Sequence, residues 1–558
     1  MIAAPAVVLL LSVSPQQAPP PPPPPPAIFP QQRDASSEAK GTAVVRGRVL
    51  TADGRPLRRV QVILRSSSIS ERIVGTGLEG EYEILDLPAG RFTLVARRGG
   101  YLPADYGQRR YGEPAKPIDV TAGATLDGIN FTMERAGVIS GRLTDETGEP
   151  VARASVYAMQ SQFYRGRRQV VPIGGVSHGT SDDSGSYRLP SLPPGDYLVV
   201  AYFRETWMSD GREKQLLAYA PSYFPGTASL VEAARVKVAA GQEAAAIDFS
   251  LVPGRAATLS GSVAASDGSP LAGAMVMLEQ EIMGPGGGSF SNAGSTQSNA
   301  DGTWRIPSVP PGVYALRASG NSGDRGSENA SMPLTVTGED IRGLALQADA
   351  GGAIAGRMRA EGEAALPGGA MTAFAQSSTF DRNSLRVPPG EGDGRVAADG
   401  TFMRRTAAGP SLVRASLPSG WYVKRVMLGD RDVTDVPQPV RPGEQLGPFT
   451  IVITRTLARV SGRVLDREGT PMEHIVVLFP ADADRWHEAA GSVRTTRSDR
   501  TGQFRLDNVR PGEYLVAAVD HVVQSAIYDP EGLTALRERA VKLTVGDAPV
   551  SIDLVVRK

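Results

Sequence analysis

The residue types that could carry chemistry are few and scattered. Cysteine is absent, which removes thiol nucleophiles, disulfides and cysteine-ligated metals. The four histidines, His178, His474, His487 and His521, are not spaced as a metal-binding pair. His487 beside Glu488 has the composition of a poised general base, but an exposed loop pair is the plainer reading. The segment Ser181-Asp-Asp-Ser-Gly185 has a faint look of a calcium loop. It lacks the alternating ligands and the closing Glu, so a turn is expected. Gly284-Pro-Gly-Gly-Gly-Ser289 follows no strand-to-helix pattern and reads as a hairpin rather than a phosphate cradle. No catalytic residue, metal ligand or cofactor site is assigned, and an enzyme is not expected.

Aromatic residues are the better candidates for binding. Tyr106 and Tyr111 are interleaved with Arg109 and Arg110, Trp207 and Tyr223 lie in a second aromatic stretch with Tyr202, Phe203 and Tyr219, and Trp421 and Trp486 stand further on. Flat ring faces stack on sugars while neighbouring Arg or Asp groups bond hydroxyls. The same residues also suit a second role, capping the open ends of β-sandwiches as core. Lys plus Arg and Asp plus Glu are both 59, so no basic excess favours nucleic acid. The partners expected are a polysaccharide or proteins of the cell envelope.

The elements that must position these residues are strands. Gly (63) and Pro (44) are abundant and would interrupt long helices, while 41% hydrophobic residues suffice for folding. A strand-and-turn pattern recurs: Val45-Arg-Gly47-Arg-Val-Leu-Thr-Ala-Asp-Gly54-Arg-Pro56, then its counterparts at Gly141, Gly261 and Gly462, with a weak copy at Gly356. A second pattern follows each: Gly80-Glu-Tyr82-Glu-Ile84-Leu-Asp-Leu-Pro88-Ala-Gly90-Arg-Phe92, with the two glycines ten residues apart, repeated from Gly185, Gly302 and Gly502. The fourth copy keeps only Asp399-Gly400-Thr-Phe402 and Gly409, one residue short. Each unit closes on an alternating strand such as Ile129-Asn-Phe131-Thr-Met133. Repetition at the size of one sandwich domain predicts an all-β tandem array of about five seven-stranded antiparallel β-sandwich modules. The expected boundaries are 42–135, 136–253, 254–349, 350–456 (degenerate) and 457–558. Helix is expected only at Pro530 to Ala540, where Leu533 and Leu536 share a face, with a turn or two at Leu230–Ala234.

Residues 1–41 read as a signal-like segment and a polyproline linker. The apolar run at the start suits a signal peptide and is too short to span a membrane, although no Lys or Arg precedes it. Pro19 to Pro26 would form a stiff polyproline II spacer of roughly 25 Å at about 3.1 Å per residue. Export is therefore expected, to the periplasm, the outer-membrane surface or the medium, with no transmembrane span in the mature chain.

The strand Gly47-Arg48-Val49, the turn Asp53-Gly54-Arg-Pro56-Leu57 and the later Gly80-Glu-Tyr82…Leu87-Pro88-Ala-Gly90-Arg-Phe92 resemble carboxypeptidase regulatory-like domains. The resemblance implies a prealbumin-like sandwich related to the Cna B-type modules of surface proteins and grouped with carbohydrate-binding-like folds. It covers nearly the whole chain after residue 42 and is poor in the fourth unit. Its motifs are turn and core residues, which specify fold and leave activity open. No His-Xaa-Xaa-Glu zinc motif accompanies them. Cna B-type modules often carry a Lys–Asn or Lys–Asp isopeptide bond. The corresponding positions here are Arg48, Arg142, Ser262, Arg357 and Arg463, which cannot make that amide. The expectation is a non-catalytic, exported binding or spacer protein. Its ligand would be a carbohydrate, or else the role is that of a structural or protein-interaction stalk.

Overall fold

The computed structural model describes residues 41–556, apart from 67–68, 165–166, 174–177, 211–212, 285–286, 322–326, 364, 378–391, 488–489 and 523–526. The signal-like segment and the proline tract lie outside the described residues. Residues 40–558 form one compact unit.

Five β-sandwiches follow one another, each built around its glycine-bearing first strand: Ala43–Thr51, Gly137–Thr144, Ala257–Ala264, Gly352–Ala360 and Ala458–Leu465. Each pairs antiparallel with the strand of the second pattern in one shared register, Gly47↔Tyr82, Gly141↔Tyr187, Gly261↔Trp304, Gly356↔Phe402 and Gly462↔Phe504. On its other edge it pairs in parallel with the closing strand (Val49↔Phe131 in the first module), and in the first, second and fifth modules also with a short strand just before it.

The register explains the glycine. A Cβ at Gly47 would stand 1.9 Å from the Ile129 carbonyl oxygen, and at Gly261 1.8 Å from that of Leu344, because the closing strand crosses directly over it. Where the facing aromatic is tyrosine, its hydroxyl donates to the same carbonyl, Tyr82 to Ile129 and Tyr187 to Ile247, each at 2.6 Å. The turn glycine of the second pattern needs positive φ (72° at Gly80, 75° at Gly185, 79° at Gly302), which costs glycine no steric strain.

The second sheet lies across the core. In the first module Gln61–Arg65 runs between Arg72–Gly75 and Gly90–Arg97. Alternation sends Val62, Leu64, Phe92 and Leu94 inward against Val45, Val49, Tyr82 and Phe131. A buried hydroxyl ties the two halves together: Ser181 Oγ donates to Val151 O and accepts from Ala154 N, and Thr76, Ser298 and Ser498 do the same in their modules.

The fourth module keeps the core (Ile354, Met358, Phe402, Val413, Phe449, Ile451) but moves a strand. Tyr422–Leu428 joins the first sheet beside Gln445–Thr454, leaving three strands opposite. The helix Pro530–Arg537 is present, capped by Asp529 accepting from Glu531 N, with Leu533 buried. Leu230–Glu232 forms a turn. Met275–Gly284 and Gly287–Gln297 pair as a hairpin across the glycine-rich stretch. No helix among the described residues is long and apolar enough to cross a membrane.

Candidate binding clefts between modules

The predicted aromatic residues lie in four modules and do not form one platform. Tyr106 packs edge-on against Phe131, with ring centroids 6.0 Å apart, and Tyr111 is 40% exposed in the same loop. Trp207 lies against Tyr219 at 4.6 Å, and Arg455 sits 5.0 Å over the Trp421 ring. Trp486 is a correction. It is 6% exposed, packs on Phe479 and donates its indole N–H to Pro480 O, so it closes the second core of the fifth module and offers no face to a sugar. Tyr223 packs in the apolar seam described next.

That seam joins the second and third modules. Met159, Val200 and Ile282 form a buried cluster flanked by Tyr157, Val170, Tyr202 and Tyr223. Beside it opens a cleft of about 220 Å³ lined by Tyr157, Tyr202, Phe203, Tyr219 and Tyr314, with Ser155, Gln280 and Arg204 among its polar groups. Burial pushes the Tyr202 hydroxyl well above its ordinary pKa, followed by the neighbouring phenols Tyr223 and Tyr157, so it stays a neutral donor. Arg204 reaches across to the carbonyl of Asn292.

The first and fifth modules meet through charge. The loop that carries Arg109, Tyr106 and Tyr111 docks on the fifth module. Glu113 is buried and accepts from the guanidinium of Arg497, itself fully buried, and from the backbone N–H of Arg109 at 3.0 Å. His521 Nδ1 lies 3.0 Å from its other oxygen. Burial by itself would raise the Glu113 pKa. The His521 contact, the Arg109 N–H and the Arg497 charge outweigh it and hold the carboxyl below its ordinary range. Outside this pair, Glu473 accepts from Arg109 at 3.1 Å and lies 3.4 Å from Lys116 Nζ. His474 is buried with Nε2 2.5 Å from Asp520.

The fifth module also meets the fourth. Asp435 pairs with Arg510 at 2.6 Å and with Arg414 at 2.9 Å, and its carbonyl faces His487 Nε2 at 3.1 Å. Glu488, the other half of the predicted His–Glu pair, lies outside the described residues. Arg168 of the second module reaches Asp529 at 2.8 Å. The fifth module therefore touches the first, second and fourth. None of these partners was legible as a motif, because the paired residues lie tens to hundreds of positions apart.

The remaining predicted features resolve locally. Asp182 accepts from the N–H and hydroxyl of Ser184 and the N–H of Ser186, which is a turn. Among the described residues no three His, Asp or Glu side chains group to hold a metal. Arg48, Arg142 and Arg463 are exposed, and their backbone N–H groups donate to Asn130, Asp248 and Asp553 on the closing strands.

Shared register, crossing closing strand and paired sheets define a tandem array of prealbumin-like sandwiches. A family description of the carboxypeptidase regulatory-like domain matches residues 44–134, 138–252, 258–341 and 459–556, and the chain belongs to that family. The comparison with curated proteins finds no match. Among solved structures, a streptococcal ancillary pilin aligns over 55% of this chain and 98% of its own at 13% identity and a TM-score of 0.19. The Bacillus anthracis TIE protein aligns over 75% of this chain and 74% of its own at 10% identity and 0.14. BcpA, the major pilin subunit of Bacillus cereus, covers 55% and 99% at 9% identity and 0.15. Scores this low leave the role of the modules to be argued from this chain's own residues.

Proposed function

We propose that this chain is an exported, non-catalytic binding protein of the cell envelope whose sandwiches pack together so that their seams hold ligands. The observation that carries the reading is the aromatic cleft between the second and third modules. Tyr157, Tyr202 and Phe203 supply partly exposed ring faces, the buried Tyr219 and Tyr314 back them, and Arg204, Gln280 and Ser155 supply hydroxyl-bonding groups within one recess. That is the composition of a saccharide site. At about 220 Å³ it falls below the about 300–1,000 Å³ of sites for drug-sized molecules, which suits one sugar ring or a chain end. The contacts between the first and last modules favour a packed body over an extended stalk.

The test is a glycan array probed with the full chain and with Tyr202→Ala and Tyr314→Ala, using Trp421→Ala as a comparator. Binding lost in the first two and kept in the third supports the reading. Absence of any glycan binding would leave the structural or protein-interaction role. Turnover of a peptide or glycan by the purified chain would overturn the non-catalytic assignment.

A further inference from the structure

A second recess opens where the first module meets the fifth, and its chemistry differs from that of the aromatic cleft. It measures about 620 Å³ and is lined by five arginines, Arg65 and Arg91 from the first module and Arg459, Arg494 and Arg505 from the fifth. Asp507 stands among them. Its carboxylate takes Arg459 Nε and Arg505 Nε at 2.8 Å each and lies 3.4 Å from Arg91. Asp119 meets Arg91 and Arg505 only at 3.7 Å, and Glu71 pairs with Arg65 at 2.5 Å. Five guanidiniums thus face three carboxylates, in a chain whose formal charge is zero. The surplus is local and faces an open recess.

Two groups in the recess lack the partner they would ordinarily have. Arg494 donates through Nη1 to the carbonyls of Asp507 and Asn508, at 2.6 and 2.8 Å, and has no carboxylate at ion-pair distance among the described residues. Burial disfavours its charge, and an incoming anion would offset that cost. Thr496, 2% exposed, lines the same recess with its Oγ1 buried and unpartnered. An unsatisfied buried hydroxyl is uncommon in a folded protein and is the group a bound oxyanion would satisfy.

From this juxtaposition we propose that the recess between the first and fifth modules binds an acidic oligomer, a saccharide carrying carboxylate or phosphate groups, with its oxyanion seated among Arg459, Arg494 and Arg505 beside Thr496. Guanidinium forks match carboxylate and phosphate oxygens two at a time, and several from different strands would fix one oxyanion in place. Asp507 occupies the centre when the recess is empty and competes with the ligand. The recess is large enough for more than one sugar unit and is separate from the aromatic cleft, so either site can fail without the other.

The test is calorimetric titration of the full chain at low salt with inorganic phosphate in one arm and a short oligogalacturonate in the other. The preferred arm reports which oxyanion the recess selects. Arg459→Gln, at a half-exposed position, and Arg494→Gln should each weaken binding by roughly tenfold, as loss of a charge-assisted hydrogen bond does. Asp507→Asn should tighten it severalfold, a sign that a merely structural role for the cluster would not produce. Raising salt should weaken binding in proportion to the charge neutralised. No binding in either arm, binding indifferent to both arginine substitutions, or weaker binding by Asp507→Asn would each overturn the proposal. Unchanged melting temperatures in Arg459→Gln would assign its loss to the site rather than to unfolding.

Discussion

Two seams hold modules together by opposite means. Between the second and third, Met159, Val200 and Ile282 meet under a layer of tyrosines, so that seam draws on burial of apolar surface. Between the first and fifth, a buried carboxylate and a buried guanidinium meet with a histidine beside them. Taking such charges out of water is costly, and the pair offsets that cost only while both partners are present. The apolar seam should therefore tolerate acid and salt and resent lost volume. The charged seam should tolerate conservative volume changes and resent the loss of either charge.

The largest effect should come from breaking the buried pair. Glu113→Leu leaves Arg497, 0% exposed at its side chain, charged and uncompensated. A loss of about 3–5 kcal/mol at that seam is expected. It should appear in X-ray scattering as an expanded particle, with the sandwiches still folded by circular dichroism. An unchanged scattering profile would show that the pair does not hold the seam.

Next is Ile282→Ala in the apolar seam. Loss of a side chain that is 4% exposed should cost about 2–4 kcal/mol through lost transfer energy and cavity formation. Melting curves in low and high salt should show the same deficit. A deficit that grows with salt would contradict the contrast between the seams.

Acid separates the seams further. The Glu113 carboxyl is held below its ordinary value of 4.5, so its contribution is complete above that value and is lost as pH falls through the lower, folded value. Glu473 and Asp507, also lowered although burial opposes it, change stability in the same direction. The first and fifth modules should part in acid below about pH 4.5 while the second and third stay joined, which module-resolved hydrogen exchange would show. The smallest effect belongs to Lys116→Ala. Its partly exposed pair with Glu473 should be worth about 0.5 kcal/mol and vanish in high salt.

The repeat was legible because the geometry of the first strand leaves no room for another residue. Gly47, Gly141, Gly261, Gly356 and Gly462 all lie beneath a closing-strand carbonyl, so one steric constraint writes the same letter five times. The aromatic facing each glycine follows from the same register. The rearranged edge of the fourth module was not legible, since Tyr422–Leu428 alternates equally well in either sheet. The seams were hidden for a different reason. Glu113 and Arg497 have ordinary neighbours in sequence, and only the docking of two modules makes each the other's partner. The loop around Arg109 displayed aromatic and basic residues together, which suits sugar binding and module docking equally. The aromatic cleft was partly visible through Tyr202, Phe203 and Tyr219, but Tyr314 comes from the next module. The buried hydroxyls of Thr76, Ser181, Ser298 and Ser498 recur at corresponding places yet alternate between Ser and Thr, and nothing in their local pattern announces burial.

The central claim is that the first module docks on the fifth through Glu113 and Arg497. Because the chain has no cysteine, it can be tested cleanly by replacing the outer pair with Lys116→Cys and Glu473→Cys and adding a short bis-maleimide. The account predicts an intramolecular crosslink in the monomer at neutral pH, lost when Glu113→Leu is added. Absence of the crosslink in the otherwise native monomer, or its persistence with Glu113→Leu, would contradict it.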